Sequence, residues 1–112
     1  PARTAEIVLQ CWQEGDFARL YQYVATLDPT TGAARPEESE FLALMADIPR
    51  LLHARAEGGS VSLDGKTAVF TVSGVWLDEG NETPFTGMVL RLTREQGVWR
   101  ISLSQLRREA LP

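Results

Sequence analysis

The sequence has few of the residues on which most catalytic and metal-binding sites depend. Of its 112 residues, one is a cysteine, Cys11, and one is a histidine, His53. A single thiol cannot form an internal disulfide, and one sulfur with one imidazole is too few for a thiolate-rich metal site. The sequence also lacks a glycine-rich phosphate loop, a Gly-x-Ser-x-Gly elbow and a Cys-x-x-Cys pair. We therefore expect no metal ion and no cofactor.

Positive charge and long apolar segments are also scarce. The formal net charge is −4, whereas nucleic acids and anionic membrane surfaces bind concentrated basic patches, so we expect neither partner. No apolar run approaches the ~20 residues that a membrane-spanning helix requires, so we expect no membrane span in this segment. The sequence opens at Pro1 without an initiator methionine or a leader pattern, so we expect a trimmed N-terminus. The compartment is left open.

The composition that remains is that of a folded domain. Hydrophobic residues make up 44% of the chain and charged residues 23%, which are ordinary values for a globular protein. A chain of 112 residues can bury one core, but two domains would each be too small. We therefore predict a single domain over residues 1–112.

The first half of the sequence has helical periodicity. Apolar residues repeat at helical spacing over residues 7–12 and again over residues 17–27. Gly15 suits the left-handed residue that ends a helix, and Asp16 suits the N-cap of the next. The sequence predicts two helices that meet at this pair and face one core.

A third helix is predicted from Pro36. Its apolar stripe runs over residues 41–48, with a kink at Pro49 and Asp47 as a cap. We expect this helix to continue inward through Leu51, Leu52 and Ala56 and to stop at Gly58 and Gly59.

From Ser60 the pattern changes to the alternation typical of strands. Asp64 and Gly65 form a hairpin signal, and alternating segments follow over residues 67–77, 85–93 and 98–103. We predict an antiparallel meander, with Gly74 marking a bulge or bend. The residues predicted to face inward are Ala68, Phe70, Val72, Trp76, Met88, Leu90, Leu92, Trp99, Ile101 and Leu103. The predicted fold is α+β, with N-terminal helices packed on the concave face of a curved antiparallel sheet of about four strands.

Two segments carry a family resemblance: AEIVLQCWQEGDFARLYQYV near the start and GVWRISL near the end. With them the chain resembles the nuclear transport factor 2-like superfamily, also called cystatin-like. The resemblance implies a cone-shaped α+β fold and is closest to small bacterial members outside the cytoplasm. It implies a periplasmic or lipoprotein-anchored location, with the cytoplasm as the alternative. Enzymes of the superfamily, such as ketosteroid-isomerase-like and dehydratase-like members, place an acid or base and a hydrogen-bond donor inside the cone.

The predicted inward positions hold no titratable side chain, so we predict no catalytic residue. The alternative is an isomerase-like or dehydratase-like enzyme that uses Asp28 or Asp47 with Tyr21, although both aspartates also suit helix caps or turns. We expect His53 on the surface and Cys11 as a buried, inert thiol.

The aromatic and methionine side chains either pack the core or line a pocket for a small apolar ligand. The candidate pocket residues are Trp12, Tyr21, Trp76, Phe85, Met88 and Trp99. The outward sheet face mixes valines, hydroxyls and arginines, a pattern that fits a homodimer or docking on another domain and equally fits a merely amphipathic face. Its candidate interface residues are Val75, Val89, Arg91 and Arg100. Our leading hypothesis is a non-catalytic domain that binds a partner protein or a small apolar ligand; a structural spacer in a larger envelope protein is a further interpretation.

Overall fold

Helices precede a four-stranded sheet, and one short helix follows it. A computed structural model describes residues 1–29 and 31–110, with side chains described as far as Arg107. The elements are α1 (Ala2–Glu14), α2 (Phe17–Tyr21), α3 (Glu38–Ala46), β1 (Arg50–Val61), β2 (Thr67–Asp78), β3 (Asn81–Glu95), β4 (Val98–Ile101) and α4 (Leu103–Ala110). The strands pair antiparallel in the order β1-β2-β3-β4. The predicted α+β class and the meander are confirmed.

The corner between the first two helices forms as predicted. Gly15 ends α1 with a φ of 75°, in the left-handed region, and Asp16 caps α2 by accepting the backbone N–H of Arg19 at 3.2 Å. However, α2 is only five residues long. The predicted apolar stripe of this helix does not extend to Leu27, which is 60% exposed. Val24 instead forms a parallel bridge with Ile101 of β4.

The predicted continuation of the third helix is wrong. Helix α3 ends at Ala46 with Asp47 as its C-cap, and Arg50 already begins β1. Two register shifts interrupt this strand, one between Leu52 and Arg55 and one between Glu57 and Ser60. Each bulge breaks the two-residue alternation that identifies a strand in a sequence. The predicted helical residues Leu51, Leu52 and Ala56 therefore belong to an edge strand.

The predicted inner face of the sheet is confirmed at its centre. Ala68 pairs with Leu92 and Phe70 with Leu90, and all four side chains are buried. A register shift lies between Val72 and Gly74, but β3 supplies the extra residue, between Phe85 and Met88, so the bulge lies in the strand opposite Gly74 rather than at Gly74 itself. Helix α1 packs on this face and closes the core.

The last predicted strand is too long. Strand β4 ends at Ile101, and Leu103 begins α4 instead of pointing inward from a strand. The side chain of Ser102 caps this helix, since its Oγ accepts the backbone N–H of Gln105 at 3.2 Å. A Ser-x-x-Gln spacing is a helix-start signal, and residues 102–105 carry it. Over the described residues, no helix combines the length and the hydropathy needed to cross a membrane.

Candidate functional site

Three of the six predicted pocket residues form one aromatic cluster between α1 and the sheet. The ring centroids of Trp12 and Trp76 lie 5.5 Å apart, and those of Trp76 and Phe85 lie 5.0 Å apart with nearly parallel planes. Trp12 is 1% exposed. Gly74 makes room for the cluster, because a Cβ there would lie 3.1 Å from Phe85 Cζ and 2.9 Å from Ala54 Cα. The three rings therefore pack against one another and fill this part of the interior.

Tyr21 belongs to a second group. Its ring centroid lies 5.3 Å from that of Phe41, and the guanidinium carbon of Arg35 lies 4.3 Å from the Tyr21 centroid. The Tyr21 hydroxyl donates to the carbonyl of Pro36 at 2.6 Å. The one polar atom of this side chain is thus engaged with the loop before α3.

Met88 and Trp99 occupy two further places on the sheet. Both are half-buried and pack against the core. Trp99 lies opposite Arg94 in the β3–β4 ladder, with the Arg94 guanidinium carbon 5.8 Å from its ring centroid. The structure thus distributes the six residues over several groups, and a common ligand pocket for them stays a prediction.

Few ionisable side chains are buried in the part of the chain that the structure describes. Cys11 is 1% exposed, and burial raises the pKa of its thiol, an effect that the charge of Arg19 partly offsets. His53 is exposed as predicted, although it sits on a strand bulge with a φ of 50° rather than on a helix. No group of three or more His, Cys, Asp or Glu side chains with metal-binding geometry occurs among the described residues.

The two aspartates of the enzyme alternative lie in different surroundings. Asp47 is exposed at the end of α3. Asp28 is 8% exposed, and its carboxylate accepts from the backbone N–H of Ser104 at 3.0 Å and from the Ser104 hydroxyl at 3.1 Å. Asp28 therefore holds the first turn of α4, a role that a negatively charged side chain performs well at a helix N-terminus.

The outer face of the sheet carries the predicted interface residues. Val75 is half-buried opposite Pro84, Val89 is 41% exposed opposite Thr71, and Arg91 is exposed. Arg91 lies two residues from Val89 along β3, and Val75 lies four residues from Thr71, the partner of Val89, along β2. Because side chains alternate between the two faces of a strand, these even spacings place all three on one face.

Arg100 shares that face but is tied to its neighbours. Its Nη1 donates to the carbonyl of Gln22 at 2.6 Å, and its Nε forms an ion pair with Glu95 at 3.2 Å. Glu95 also accepts from the backbone N–H and the hydroxyl of Thr26. Arg100 thus anchors the loop after α2 to β4, which leaves it less available to a partner than Arg91.

Sequence reasoning missed two glutamines that cap the edges of the sheet. The Gln105 amide accepts from Arg91 N at 3.0 Å and donates to the carbonyl of Val89 at 2.6 Å. The Gln13 amide accepts from Ala54 N at 3.0 Å, at the first bulge of β1. The spacing of residues 102–105 could have indicated the helix that bears Gln105. No sequence signal gives the distant partner of either amide.

No protein-family model matches the chain, and the search of curated proteins gave no match. Solved structures do match. An LEH-like epoxide hydrolase from Mycobacterium tuberculosis is 11% identical, with a TM-score of 0.61 over 97% of this chain and 83% of that chain. A SEC-C motif-containing protein from Rhodopseudomonas palustris is 18% identical, with a TM-score of 0.55 over 83% of this chain and 67% of that chain. A nuclear transport factor 2-like protein with a cystatin-like fold from Novosphingobium aromaticivorans is 17% identical, with a TM-score of 0.47 over 90% and 75% of the two chains.

The likenesses to the epoxide hydrolase and to the SEC-C motif-containing protein establish a fold. The chain has helices on a curved four-stranded antiparallel sheet, which is the architecture that the resemblance to the nuclear transport factor 2-like superfamily implied, and that expectation is confirmed. At identities below 20% a shared fold carries no shared reaction.

Proposed function

We propose that this chain is a non-catalytic domain that binds a partner chain through the outer face of its sheet, and that this partner is a second copy of itself. The observation that carries the proposal is the contrast between the two faces of the sheet. The inner face is filled by the chain's own apolar side chains, whereas the outer face leaves Val89 41% exposed beside the exposed Arg91.

The polar groups near the interior support a structural rather than a catalytic role. A general acid or base must reach a substrate proton. The Tyr21 hydroxyl is engaged with the Pro36 carbonyl, and the Asp28 carboxylate is engaged with the start of α4. Among the described residues the remaining buried ionisable group is Cys11, whose raised pKa disfavours the nucleophilic thiolate.

The charge pattern of the outer face favours self-association. Arg55 and Glu57 lie on this face of β1, while Glu82 and Arg91 lie on it in β3. In a two-fold contact the same patch meets itself, so a patch that holds both signs can pair acids with bases across the axis. The family resemblance points the same way, because such faces often form dimers in that superfamily.

Sedimentation equilibrium tests the proposal with Val89→Glu as the interface variant. We expect the unsubstituted chain to be dimeric at roughly 100 μM and the variant to be monomeric, since a buried unpaired carboxylate opposes association. Val61→Glu is the matched control, because Val61 is 49% exposed but belongs to the inner-face register of β1. It should remain dimeric.

Circular dichroism of both variants establishes that each is folded. A monomeric unsubstituted chain at that concentration would overturn the proposal. A dimer that survives Val89→Glu would also overturn it, because the contact would then lie elsewhere.

A further inference from the structure

A groove separates the loop after α2 from the first turns of α4. Its volume is about 280 Å³. Ala25, Ala33, Ala34 and Leu103 give it apolar walls, and Arg35 and Arg107 add two guanidinium groups. The groove therefore combines a small apolar surface with positive charge, in a chain whose net charge is negative.

The loop wall of the groove is held by backbone hydrogen bonds. Asp28 N donates to the carbonyl of Ala33 at 2.9 Å, and Arg35 N donates to the carbonyl of Thr26 at 2.9 Å. Leu27 and Ala34 form an antiparallel bridge between these two bonds. This ladder fixes the backbone on which Arg35 is mounted.

The carboxylate of Asp28, which lines the groove, accepts hydrogen bonds from other residues of the chain. Asp28 Oδ2 accepts from Ser104 N at 3.0 Å, while Oδ1 accepts from the Ser104 hydroxyl at 3.1 Å and from Thr31 N at 3.3 Å. The partial positive charge of the α4 N-terminus is thereby matched to the Asp28 carboxylate. Arg35 and Arg107 carry two positive charges against the one negative charge of Asp28, so the lining of the groove keeps a net positive charge.

Some of the N–H donors of Arg35 already form hydrogen bonds within the chain. Its Nη1 donates to the carbonyls of Tyr21 at 3.3 Å and Val24 at 3.4 Å, and its guanidinium stacks over the Tyr21 ring. A guanidinium has five N–H donors in a fixed plane, so further donors remain for a planar anion. Among the residues that the structure describes, neither Arg35 nor Arg107 forms an ion pair with a carboxylate.

We propose that this groove binds a small organic carboxylate that carries a short apolar body. The carboxylate would accept from Arg35 and Arg107, and the body would contact the alanines and Leu103. A planar carboxylate suits the arginine fork, and the apolar walls favour a ligand with a hydrocarbon part over a bare inorganic anion. The proposal is independent of the sheet-face dimer.

The test is a titration of the ¹⁵N-labelled chain with benzoate, followed by backbone amide shifts. We expect saturable shifts at Ala25, Ala33 and Leu103, with a dissociation constant on the order of 1 mM for so small a ligand. Arg107→Gln should weaken binding about tenfold, the effect of one lost charge-assisted hydrogen bond. Arg107 is exposed, so this variant should fold normally. Arg3→Gln removes an exposed charge on α1 and should bind benzoate unchanged.

Two comparison ligands distinguish recognition of an organic carboxylate from binding through the ring alone or through charge alone. Benzamide has the same ring without the charge, and inorganic phosphate has charge without the ring; both should bind at least about tenfold more weakly. Val89→Glu should bind benzoate normally, which keeps this test distinct from that of the dimer. The proposal is overturned if benzoate gives no saturable shifts at the groove, if Arg107→Gln matches Arg3→Gln, or if phosphate or benzamide binds as well as benzoate.

Discussion

Gln105 and Arg91 form a hydrogen bond between the side chain of a helix and the backbone of a strand, with 3.0 Å between Arg91 N and Gln105 Oε1. Strand β4 covers only the end of β3, from Leu92 to Glu95. The Gln105 amide, which also donates to Val89, takes the place of a neighbouring strand just beyond that point. Edge strands with free backbone N–H and C=O groups can pair with other chains. The Gln105 amide satisfies two such groups, the N–H of Arg91 and the carbonyl of Val89.

Gln105→Ala should destabilise the chain by about 1–2 kcal/mol, because it removes two hydrogen bonds of roughly 1 kcal/mol each. Urea unfolding measures this change. Gln22→Ala serves as the control, since Gln22 is exposed and its side chain makes no hydrogen bond in the described chain. Hydrogen exchange gives a local check: the Arg91 amide should exchange faster in Gln105→Ala only. Unchanged protection of that amide would contradict the assigned role of Gln105.

The sequence predicted the class of the fold because its local signals agree with the global structure over most of the chain. The Gly15 and Asp16 corner and the inward series from Ala68 to Val72 depend only on neighbouring residues. Strand β1 cannot be recognised from its sequence pattern, because its two bulges, at His53 and at Gly58, remove the alternation.

The two surfaces on which the proposals depend differ in how far the sequence predicts them. Val75, Val89 and Arg91 could be assigned to one sheet face from alternation alone. The groove between Arg35 and Arg107 could not, because it depends on how a loop and an unpredicted helix meet across about 70 residues of sequence. The partners of Gln13 and Gln105 are equally non-local.

Gly74→Ala should destabilise the chain by about 1–3 kcal/mol, the usual effect of overpacking. An added Cβ would lie 2.9 Å from Ala54 Cα, a backbone atom that cannot move without shifting β1. It would also press on Phe85 and so disturb the stack with Trp76. Urea unfolding with tryptophan fluorescence measures both effects. Ser73→Ala, on the opposite face of the same strand, should cost less than half as much; equal effects would indicate that the close approach at Gly74 is unimportant.

The two tight turns of the sheet should accept asparagine with a gain in stability. Glu79 and Gly80 have φ values of 51° and 82°, and Gln96 and Gly97 have 50° and 83°. Positive φ at both central residues defines the type I′ hairpin turn, which favours Asn-Gly. Glu79→Asn and Gln96→Asn should each raise the free energy of unfolding by a few tenths to about 1 kcal/mol. Glu6→Gln, at an exposed position of α1, removes the same charge as Glu79→Asn and should show no gain. Thermal melts compare the three variants, and an equal gain in Glu79→Asn and Glu6→Gln would implicate net charge instead.

The hairpin turn between β1 and β2 should respond to acid through Asp64. The Ser62 hydroxyl donates to the Asp64 carboxylate and, with the backbone N–H of Lys66, lowers the pKa of that carboxyl. Because the folded pKa lies below the unfolded value of about 4, the stabilisation is present above that pH and is lost as the pH falls through the folded pKa. Ser62→Ala should raise the Asp64 pKa towards its ordinary value, as NMR titration of the carboxyl carbon would measure. Ser60→Ala, two residues earlier on β1, should leave the Asp64 titration unchanged; an unshifted midpoint in Ser62→Ala would show that the hydroxyl does not stabilise the carboxylate.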